Sequence, residues 1–340
     1  LSVHDAGHPR EIIDALERNY EPLPLRSSDI LVATAWWTAH LAFEAIDAQK
    51  ILFRKENKLV YLIQDFEPNF YGWSTKWALA ENTLKRGNET IAIINSSELC
   101  NFLLKDYVFD RVYYLPYKRN EKINFIKNVD RQKIILFYGR PSVTRNLFEL
   151  AVDGISLWQQ RNPTLAREWQ IISVGEIYSK DAVSHVSNFK ISGKLSLEDY
   201  SWHLSAASVG LSLMLSPHPS YPPLEMAEAG IITITNSYFA KDLGRLSDNI
   251  IALDTVTVDS IAEAISNAII RANARLDVSA SLENNRRPLF DPAPCDLNIP
   301  DVRAKKGFLN GLLNRSKKPS KHAVSVYSAK ELGRLLNLEL

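Results

Sequence analysis

The chain has 340 residues, of which 46% are hydrophobic and 23% are charged, and its formal net charge is +1. This composition is that of a folded globular protein and excludes a disordered chain, while the near-neutral charge argues against a dedicated nucleic-acid-binding protein. A chain of this length usually exceeds a single hydrophobic core, so we expect two domains.

Short apolar runs alternate with amphipathic stretches in the first third of the chain. The predicted strands are Asp29–Thr34, Leu59–Ile63, Thr90–Ile94 and Arg111–Leu115. Helical spacing separates some of them, at Thr75–Lys85 and Ser97–Lys105. Because this alternation is typical of βαβ units, we expect a parallel sheet in an α/β domain.

A polar segment at residues 120–130 predicts a linker, and a second alternating series follows it. The predicted strands are Lys133–Tyr138, Trp169–Val174, Phe189–Ser192, Val209–Leu213, Ile231–Thr235 and Asn249–Leu253. The predicted helices are Asn146–Gln160, Leu197–Ala206, Pro223–Ala229 and Val258–Ala274. This pattern indicates a doubly wound α/β domain, whose ligands bind at the carboxyl ends of the strands.

The pattern changes after residue 280, where a basic segment at 303–321 precedes one more strand, Ala323–Tyr327, and a helix, Ala329–Leu340. The two predicted domains are therefore 1–120 and 121–280. Residues 321–340 are a candidate to complete the first domain. Residues 281–340 form a basic tail and a return segment. The basic segment has two interpretations, a solvated tail or a surface for anionic lipid.

Signals for export and for membrane insertion are missing from the sequence. No apolar run approaches the roughly 20 residues that a membrane-spanning helix needs, and the first residues lack a basic and an apolar region. The two cysteines, Cys100 and Cys295, form neither a disulfide framework nor a metal-binding pattern. We therefore expect a cytoplasmic protein, with peripheral association at the inner face of the membrane as the alternative that the basic segment leaves open.

The segment from Phe137 to Asn146 is a strand, a glycine turn and the start of a helix. Gly139 permits the turn, and Arg140 and Arg145 lie on either side of it. Fixed guanidinium groups and helix N–H groups suit a diphosphate, because both face the same anion. The alternative is an ordinary βα turn with two solvated arginines.

A second informative segment runs from Ser216 to Gly230 and opens a helix near Pro223. Glu225 lies one turn inside that helix, where its carboxylate can accept hydroxyls of a ribose. A glutamate that merely favours the helix dipole is the alternative. His218 either contacts a ligand or is a solvated loop histidine.

Together these segments resemble the donor-binding domain of the retaining GT-B glycosyltransferases of family four. The matching positions are Gly139, Arg140, Arg145, Val174, Gly175, Gly193, Lys194, Glu198 and Glu225. The resemblance implies a GT-B fold, with two doubly wound Rossmann-like domains facing across a cleft. The family's other glutamate falls on Pro217, and this departure favours a deoxy sugar.

Ala35–Thr38, Tyr61–Pro68 and Ser216–Glu225 are similar to the WsaF group of S-layer glycan rhamnosyltransferases. This similarity implies a dTDP-β-L-rhamnose donor, a rhamnose-containing polysaccharide acceptor and retention of configuration. The implied donor-binding residues are Gly139, Arg140, Arg145, Gly175, Lys194, Tyr221 and Glu225. No metal or other cofactor is implied, because Arg140 and Lys194 would replace the divalent ion at the diphosphate.

The residues after the first strands suit the acceptor side of such a cleft. Aromatic faces pack on sugar rings, and the candidate acceptor-binding residues are Trp36, Trp37, Phe66, Tyr71 and Trp73. Their alternative is a hydrophobic core. Asp65 and Glu67 are the candidate catalytic residues, since each can take the acceptor's proton or orient its hydroxyl, and a solvated loop pair is the alternative.

Two rival functions remain open at this point. A GT-B sugar-nucleotide epimerase would bind the same diphosphate without an acceptor platform. A non-catalytic carbohydrate- or membrane-surface-binding protein would have a degenerate donor site.

Residues 1–28 also lack the family's first strand and Gly-rich loop, so either that part of the domain is missing or the strand Ala323–Tyr327 supplies it. The oligomeric state and the linkage formed are not defined by the sequence.

Overall fold

The computed structural model of the protein describes residues 25–126, 129–279 and a strand at 324–326. The strands are β1 Val32–Ala33, β2 Leu59–Ile63, β3 Thr90–Ile94, β4 Arg111–Tyr114, β5 Gln132–Gly139, β6 Gln170–Gly175, β7 Phe189–Gly193, β8 Ala207–Leu211, β9 Ile232–Asn236, β10 Ile250–Leu253 and β11 Val324–Val326. The helices are α1 Trp36–Phe53, α2 Thr75–Lys85, α3 Ser97–Asp106, α4 Phe148–Arg161, α5 Pro163–Glu168, α6 Leu197–Ala206, α7 Tyr221–Glu228 and α8 Val258–Ser279.

The strands form two parallel sheets, which confirms the expected α/β fold. The first sheet has the order β1-β2-β3-β4-β11, and the second has the order β10-β9-β8-β5-β6-β7. In the second sheet the chain moves outward from β5 in both directions, so the strand order reverses beside β5. The first sheet with α1 to α3 is called the first domain below, and the second sheet with α4 to α8 the second domain.

Serine side chains cap several of the predicted helices. Ser96 Oγ accepts the Leu99 N–H at 3.0 Å and begins α3, and Ser196 Oγ accepts the Asp199 N–H at 3.0 Å and begins α6. Helix α1 begins differently, after Ala35, whose N–H donates to Thr38 Oγ1 at 3.1 Å. The sequence did not predict α1, because its start has no capping side chain before it.

Apolar packing covers the second sheet on both faces, as expected for parallel strands. Ile135 and Phe137 pack with α4 and α8 on one face, and Leu136 and Ile172 pack with α6 and α7 on the other. In the first domain, Tyr61 and Ile94 pack with residues of α1 and α3. These cores hold the carboxyl ends of the central strands in fixed positions, from which the site residues project.

The predicted strand Ala323–Tyr327 is present as β11, which pairs in parallel with β4. The predictions for residues 1–24, 280–323 and 327–340 lie outside the described residues, and they include the basic segment 303–321. Among the helices that the structure describes, none combines the length and the apolar character that crossing a membrane requires.

Candidate active site

A cavity of about 470 Å³ lies between the two domains, at the carboxyl ends of their strands. The first domain contributes Thr34, Ala35, Trp37, Gln64, Asp65, Glu67, Phe70 and Asn95. The second domain contributes Tyr138, Arg140, Arg145, Asn146, Met214, His218, Ser220, Tyr221 and Pro222. The cavity therefore brings both predicted catalytic carboxylates together with both predicted phosphate-binding arginines.

Arg145 and Asp65 form an ion pair across the domain boundary. Arg145 follows β5, and its Nε lies 3.6 Å from Asp65 Oδ2. The guanidinium also stacks on the Phe70 ring, with its carbon 4.2 Å from the ring centre. Within the described part of the chain, the buried Nε of Arg145 has no hydrogen-bond partner. The pair is thus a charge contact that leaves hydrogen-bonding capacity on the guanidinium.

Asp65 is fixed in place by hydrogen bonds on its other oxygen. Asp65 Oδ1 accepts the Phe66 N–H at 2.8 Å and also accepts the Ser216 hydroxyl from the second domain. Ser216 Oγ in turn accepts the His218 N–H at 3.0 Å. The carboxylate therefore connects β2 to the loop that precedes α7.

Glu67 follows β2 and lies at the start of a 3-10 turn, Glu67–Phe70. Its carboxylate accepts the backbone N–H of Trp36, the first residue of α1. Burial raises the pKa of Glu67 to about 7, and the nearby charge of Asp65 acts in the same direction. Glu67 can therefore exchange a proton near neutral pH, which suits a general base.

Two glycines lie side by side at the ends of neighbouring strands, and neither is among the residues that line the cavity. Gly139 at the end of β5 is in register with Gly175 at the end of β6. Gly175 has φ +114°, and a Cβ there would lie 3.0 Å from Cγ of Arg140. Glycine is thus required at 175 both by backbone conformation and by the space that the Arg140 side chain occupies.

The other predicted donor residues are divided between the cavity and its surroundings. Tyr221 lines the cavity, and its hydroxyl donates to Asn95 Oδ1 at 3.1 Å. Glu225 does not line it, because its carboxylate is buried and accepts the Tyr200 hydroxyl at 2.9 Å. That burial raises the pKa of Glu225. Lys194 is exposed after β7 and also lies outside the cavity lining.

The aromatic residues predicted on the acceptor side occupy three different environments. Trp37 lines the cavity and is 51% exposed. The Trp36 indole N–H donates to Tyr71 Oη at 2.9 Å, so these two rings support each other next to Trp37. Trp73 is 89% exposed and stacks on Trp77 outside the cavity lining.

Phe66, a candidate acceptor-binding residue, lies in the hydrophobic core, which was the alternative interpretation. Its ring is 8% exposed and belongs to the core of the first domain. It packs against Phe102, with 5.0 Å between the ring centres. Phe66 follows a buried strand, and its side chain turns inward while those of Asp65 and Glu67 line the cleft.

His218 is buried, so its interpretation as a solvated loop histidine is wrong. Its Nδ1 accepts the Ser220 N–H at 3.0 Å, and its Nε2 lies 3.2 Å from the side-chain amide of Asn95. Burial lowers the pKa of His218. Ser220 has φ 67°, a strained conformation for a residue with a side chain. Strain of this kind often accompanies a functional loop.

Lys241 is a buried residue that sequence reasoning missed, and it contacts Met214 of the cavity lining. It is fully buried, and its ammonium donates to the Met214 carbonyl at 2.6 Å. Burial lowers the pKa of Lys241 to about 7, although the charge of Asp65 acts in the opposite direction. A single lysine in a polar loop carries no pattern that would mark it as buried.

Acidic and histidine side chains do not form an obvious metal site in the part of the chain that the structure describes. No group of three or more His, Cys, Asp or Glu residues there is placed to hold a metal ion.

The sequence matches the models of two domains of one family. The WsaF N-terminal domain matches residues 1–97, and the WsaF C-terminal domain matches residues 133–266. The O-antigen biosynthesis protein RfbC of Myxococcus xanthus is 27% identical over 226 residues, which are 66% of this chain and 17% of RfbC. The matched residues thus span less than a fifth of the length of that relative.

Solved structures share the fold at low sequence identity. The pneumococcal O-GlcNAc transferase GtfA, in complex with UDP and GlcNAc, has a TM-score of 0.50 and 10% identity, over 69% of this chain and 49% of that chain. A sucrose-phosphate synthase of Thermosynechococcus elongatus has a TM-score of 0.49 and 14% identity, over 73% of this chain and 65% of that chain. With both of its domain models matched and two parallel sheets facing across a cleft, the chain belongs to the WsaF family of GT-B glycosyltransferases.

Proposed function

We propose that the protein is a glycosyltransferase of polysaccharide biosynthesis, which transfers L-rhamnose from dTDP-β-L-rhamnose to a rhamnose-containing polysaccharide with retention of configuration. One observation carries the proposal: Arg140 and Arg145 of one domain face Asp65 and Glu67 of the other across a single cavity. Cations for a leaving diphosphate and carboxylates for an incoming hydroxyl are the two requirements of glycosyl transfer.

The donor diphosphate binds to the arginine side of the cavity in this proposal. Arg145 has hydrogen-bonding capacity left beside its contact with Asp65, and Arg140 extends over Gly175 from the end of β5. Guanidinium groups bind phosphate oxygens with paired, charge-assisted hydrogen bonds. They stabilise the negative charge that the diphosphate gains as the bond to the sugar breaks, and the reaction needs no divalent metal.

The acceptor hydroxyl approaches from the carboxylate side. Retention requires its oxygen to bond to the anomeric carbon on the face from which the diphosphate leaves. The electron pair of the old bond leaves with the diphosphate, and the hydroxyl proton goes to a base. Glu67 is suited to take that proton, because burial raises its pKa to about 7. Asp65 positions the hydroxyl and balances the charge of Arg145.

Rhamnose is the proposed sugar because of the residues around the reacting centre. Where the related enzymes have a glutamate, this chain has Pro217, which is buried beside His218. Trp37 and Phe70 add apolar surface to the same cavity. A deoxy sugar has a methyl group to pack on such surfaces and one hydroxyl fewer to satisfy.

A panel of nucleotide sugars tests the proposal. We expect transfer from dTDP-L-rhamnose but not from UDP-glucose, UDP-GlcNAc or GDP-mannose. The rate should be unchanged in EDTA. The NMR spectrum of the product should show the anomeric configuration of the donor. Glu67→Gln should slow transfer by about a hundredfold or more, and Glu263→Gln, a change at an exposed glutamate of α8, should not. Full transfer by Glu67→Gln, or a strict requirement for Mg²⁺, would contradict the proposal.

A further inference from the structure

A second cavity, of about 530 Å³, opens on the second domain beside the cleft. It lies beyond the carboxyl ends of β9 and β10, at the edge where parallel sheets bind ligands. The function proposed above does not use this cavity.

The lining of this second cavity combines apolar, aromatic and hydroxyl groups. Its walls include Leu147 and Leu215, the rings of Tyr238 and Phe239, and the polar residues Ser237 and Asp254. Among the described residues that line it, none is Lys, Arg or His. A phosphate or a nucleotide would therefore meet the Asp254 carboxylate without a compensating cation, so the cavity suits a neutral ligand.

One hydroxyl of a lining residue has no hydrogen-bond partner within the ranges that the structure describes. Ser237 Oγ is buried and has no hydrogen-bond partner among the described residues. Buried polar atoms are almost always paired, so an unpaired one beside a cavity indicates a missing partner. After rotation of the Ser237 side chain toward the cavity, a ligand hydroxyl would satisfy this oxygen, whereas an alkyl chain would not.

Two contacts from the first domain hold the aromatic wall in position. Phe239 is 75% exposed and has φ 49°, and its ring contacts Phe102 of the first domain at 5.3 Å. Tyr238 Oη accepts the side-chain N–H of Asn69, also from the first domain, at 3.0 Å. The backbone of Phe239 is strained, and these contacts hold its exposed ring in one position, so the ring is preformed for stacking on a ligand.

The two cavities are neighbours, separated by two short segments of chain. Asn146 and Met214 line the first cavity, and the residues that follow them, Leu147 and Leu215, line the second. The segments are joined by the Leu215 N–H, which donates to the Arg145 carbonyl at 2.8 Å. The two cavities are therefore close enough for one extended polysaccharide, passing over these segments, to occupy both.

We propose that the second cavity is a binding subsite for the acceptor polysaccharide, which holds sugar units distant from the one that reacts. Sugar rings stack on Phe239, their hydroxyls bind Ser237 and Asp254, and the methyl groups of deoxy sugars pack on the leucines. The inference rests on the proposed function, and it places part of acceptor recognition on the domain that binds the donor.

The test compares a short and a long acceptor, methyl α-L-rhamnoside and an oligosaccharide of several rhamnose units. In Phe239→Ala and Asp254→Asn we expect KM for the oligosaccharide to rise about tenfold, while KM for the monosaccharide and the Kd of dTDP stay unchanged. The matched control is Ile270→Ala, which removes an exposed apolar side chain from α8. Equal effects on both acceptors, or none on the oligosaccharide, would overturn the subsite.

A binding measurement separates failure of the subsite from failure of the proposed function. If the wild-type protein transfers rhamnose to neither acceptor, the proposed function fails, and NMR titration with the oligosaccharide then decides on the cavity. Binding that Phe239→Ala weakens about tenfold supports the subsite. Equal binding by both proteins, no binding, or displacement of the oligosaccharide by an alkyl detergent overturns it.

Discussion

The Nε atom of Arg145 lies 3.6 Å from Oδ2 of Asp65, so one ion pair joins the proposed donor side of the cleft to the proposed acceptor side. A donor diphosphate would compete with Asp65 for this guanidinium, and the carboxylate would also repel it. In the proposed function the pair would therefore oppose nucleotide binding and, once the diphosphate is bound, would leave Asp65 close to the reacting hydroxyl.

The first prediction follows from this competition. Asp65→Asn should bind dTDP more tightly than the wild-type protein by about 1 kcal/mol, the size of a partly screened ion pair, and should turn over more slowly. Calorimetry measures the first effect and initial rates the second. Arg145→Gln is the matched counterpart and should bind dTDP more weakly. Weaker binding by Asp65→Asn would mean that the pair organises the donor site instead.

The second prediction concerns pH. Glu67 is protonated below its pKa of about 7, and in that form it cannot accept a proton. If Glu67 is the base, kcat/KM should fall tenfold per pH unit below about 7 and level off above it. The residual kcat/KM of Glu67→Gln should not fall in this way as the pH is lowered. A profile that is flat from about pH 5 to about pH 8 would exclude Glu67 as the base.

The third prediction concerns the stability of the folded protein, which depends on the same raised pKa of Glu67. The ordinary pKa of Glu67 is 4.5 and its pKa in the folded protein is about 7, so between these values the folded state holds a proton that the unfolded state has released. The resulting stabilisation is complete below pH 4.5 and is lost as the pH rises through about 7. The Tm of Glu67→Gln relative to the wild-type protein should therefore increase between about pH 5 and about pH 8. A constant difference would show that Glu67 has no raised pKa.

Much of the second domain was predictable from sequence because its strands are buried on both faces and read as short apolar runs. The predicted and observed bounds of α6 agree at Leu197–Ala206, where Ser196 supplies a cap. Helix α1 was missed because its first turn is aromatic and follows Ala35, which has no capping oxygen.

The cleft was predictable only where local patterns pointed to it. Arg140 and Arg145 follow a strand and a glycine, and Asp65 and Glu67 follow a buried strand, so each pair could be found separately. His218 is buried against Asn95 of the first domain, and Lys241 is buried against Met214 of its own domain. Neither residue belongs to a periodic pattern. The contact between Asp65 and Arg145 likewise depends on how the domains meet.

The fourth prediction tests the glycine pair. Gly175→Ala introduces a Cβ at φ +114° and 3.0 Å from Cγ of Arg140, so it strains the backbone and displaces the guanidinium. We expect dTDP affinity to fall about tenfold, equivalent to the loss of one charge-assisted hydrogen bond. Gly72→Ala is the control, because nothing lies within 4 Å of a Cβ at that exposed position. If calorimetry gives the same dTDP affinity for Gly175→Ala and the wild-type protein, Arg140 does not belong to the donor site.

The last prediction separates two aromatic residues that the sequence places in one group. Phe66 is 8% exposed and packs in the core, whereas Trp37 is 51% exposed and lines the cavity. Phe66→Ala leaves a hole in the core and should cost about 3–5 kcal/mol of folding free energy, seen as a Tm several degrees lower. Trp37→Ala removes surface that solvent already reaches, so its Tm should match the wild-type value. Its KM for the acceptor should rise with little change in kcat, because stacking on a sugar ring stabilises the bound acceptor and the transition state alike. Melting curves and kinetics on the two variants therefore give opposite patterns. If Trp37→Ala melts as early as Phe66→Ala, or keeps the wild-type KM, the ring belongs to the structure of α1 and not to acceptor binding.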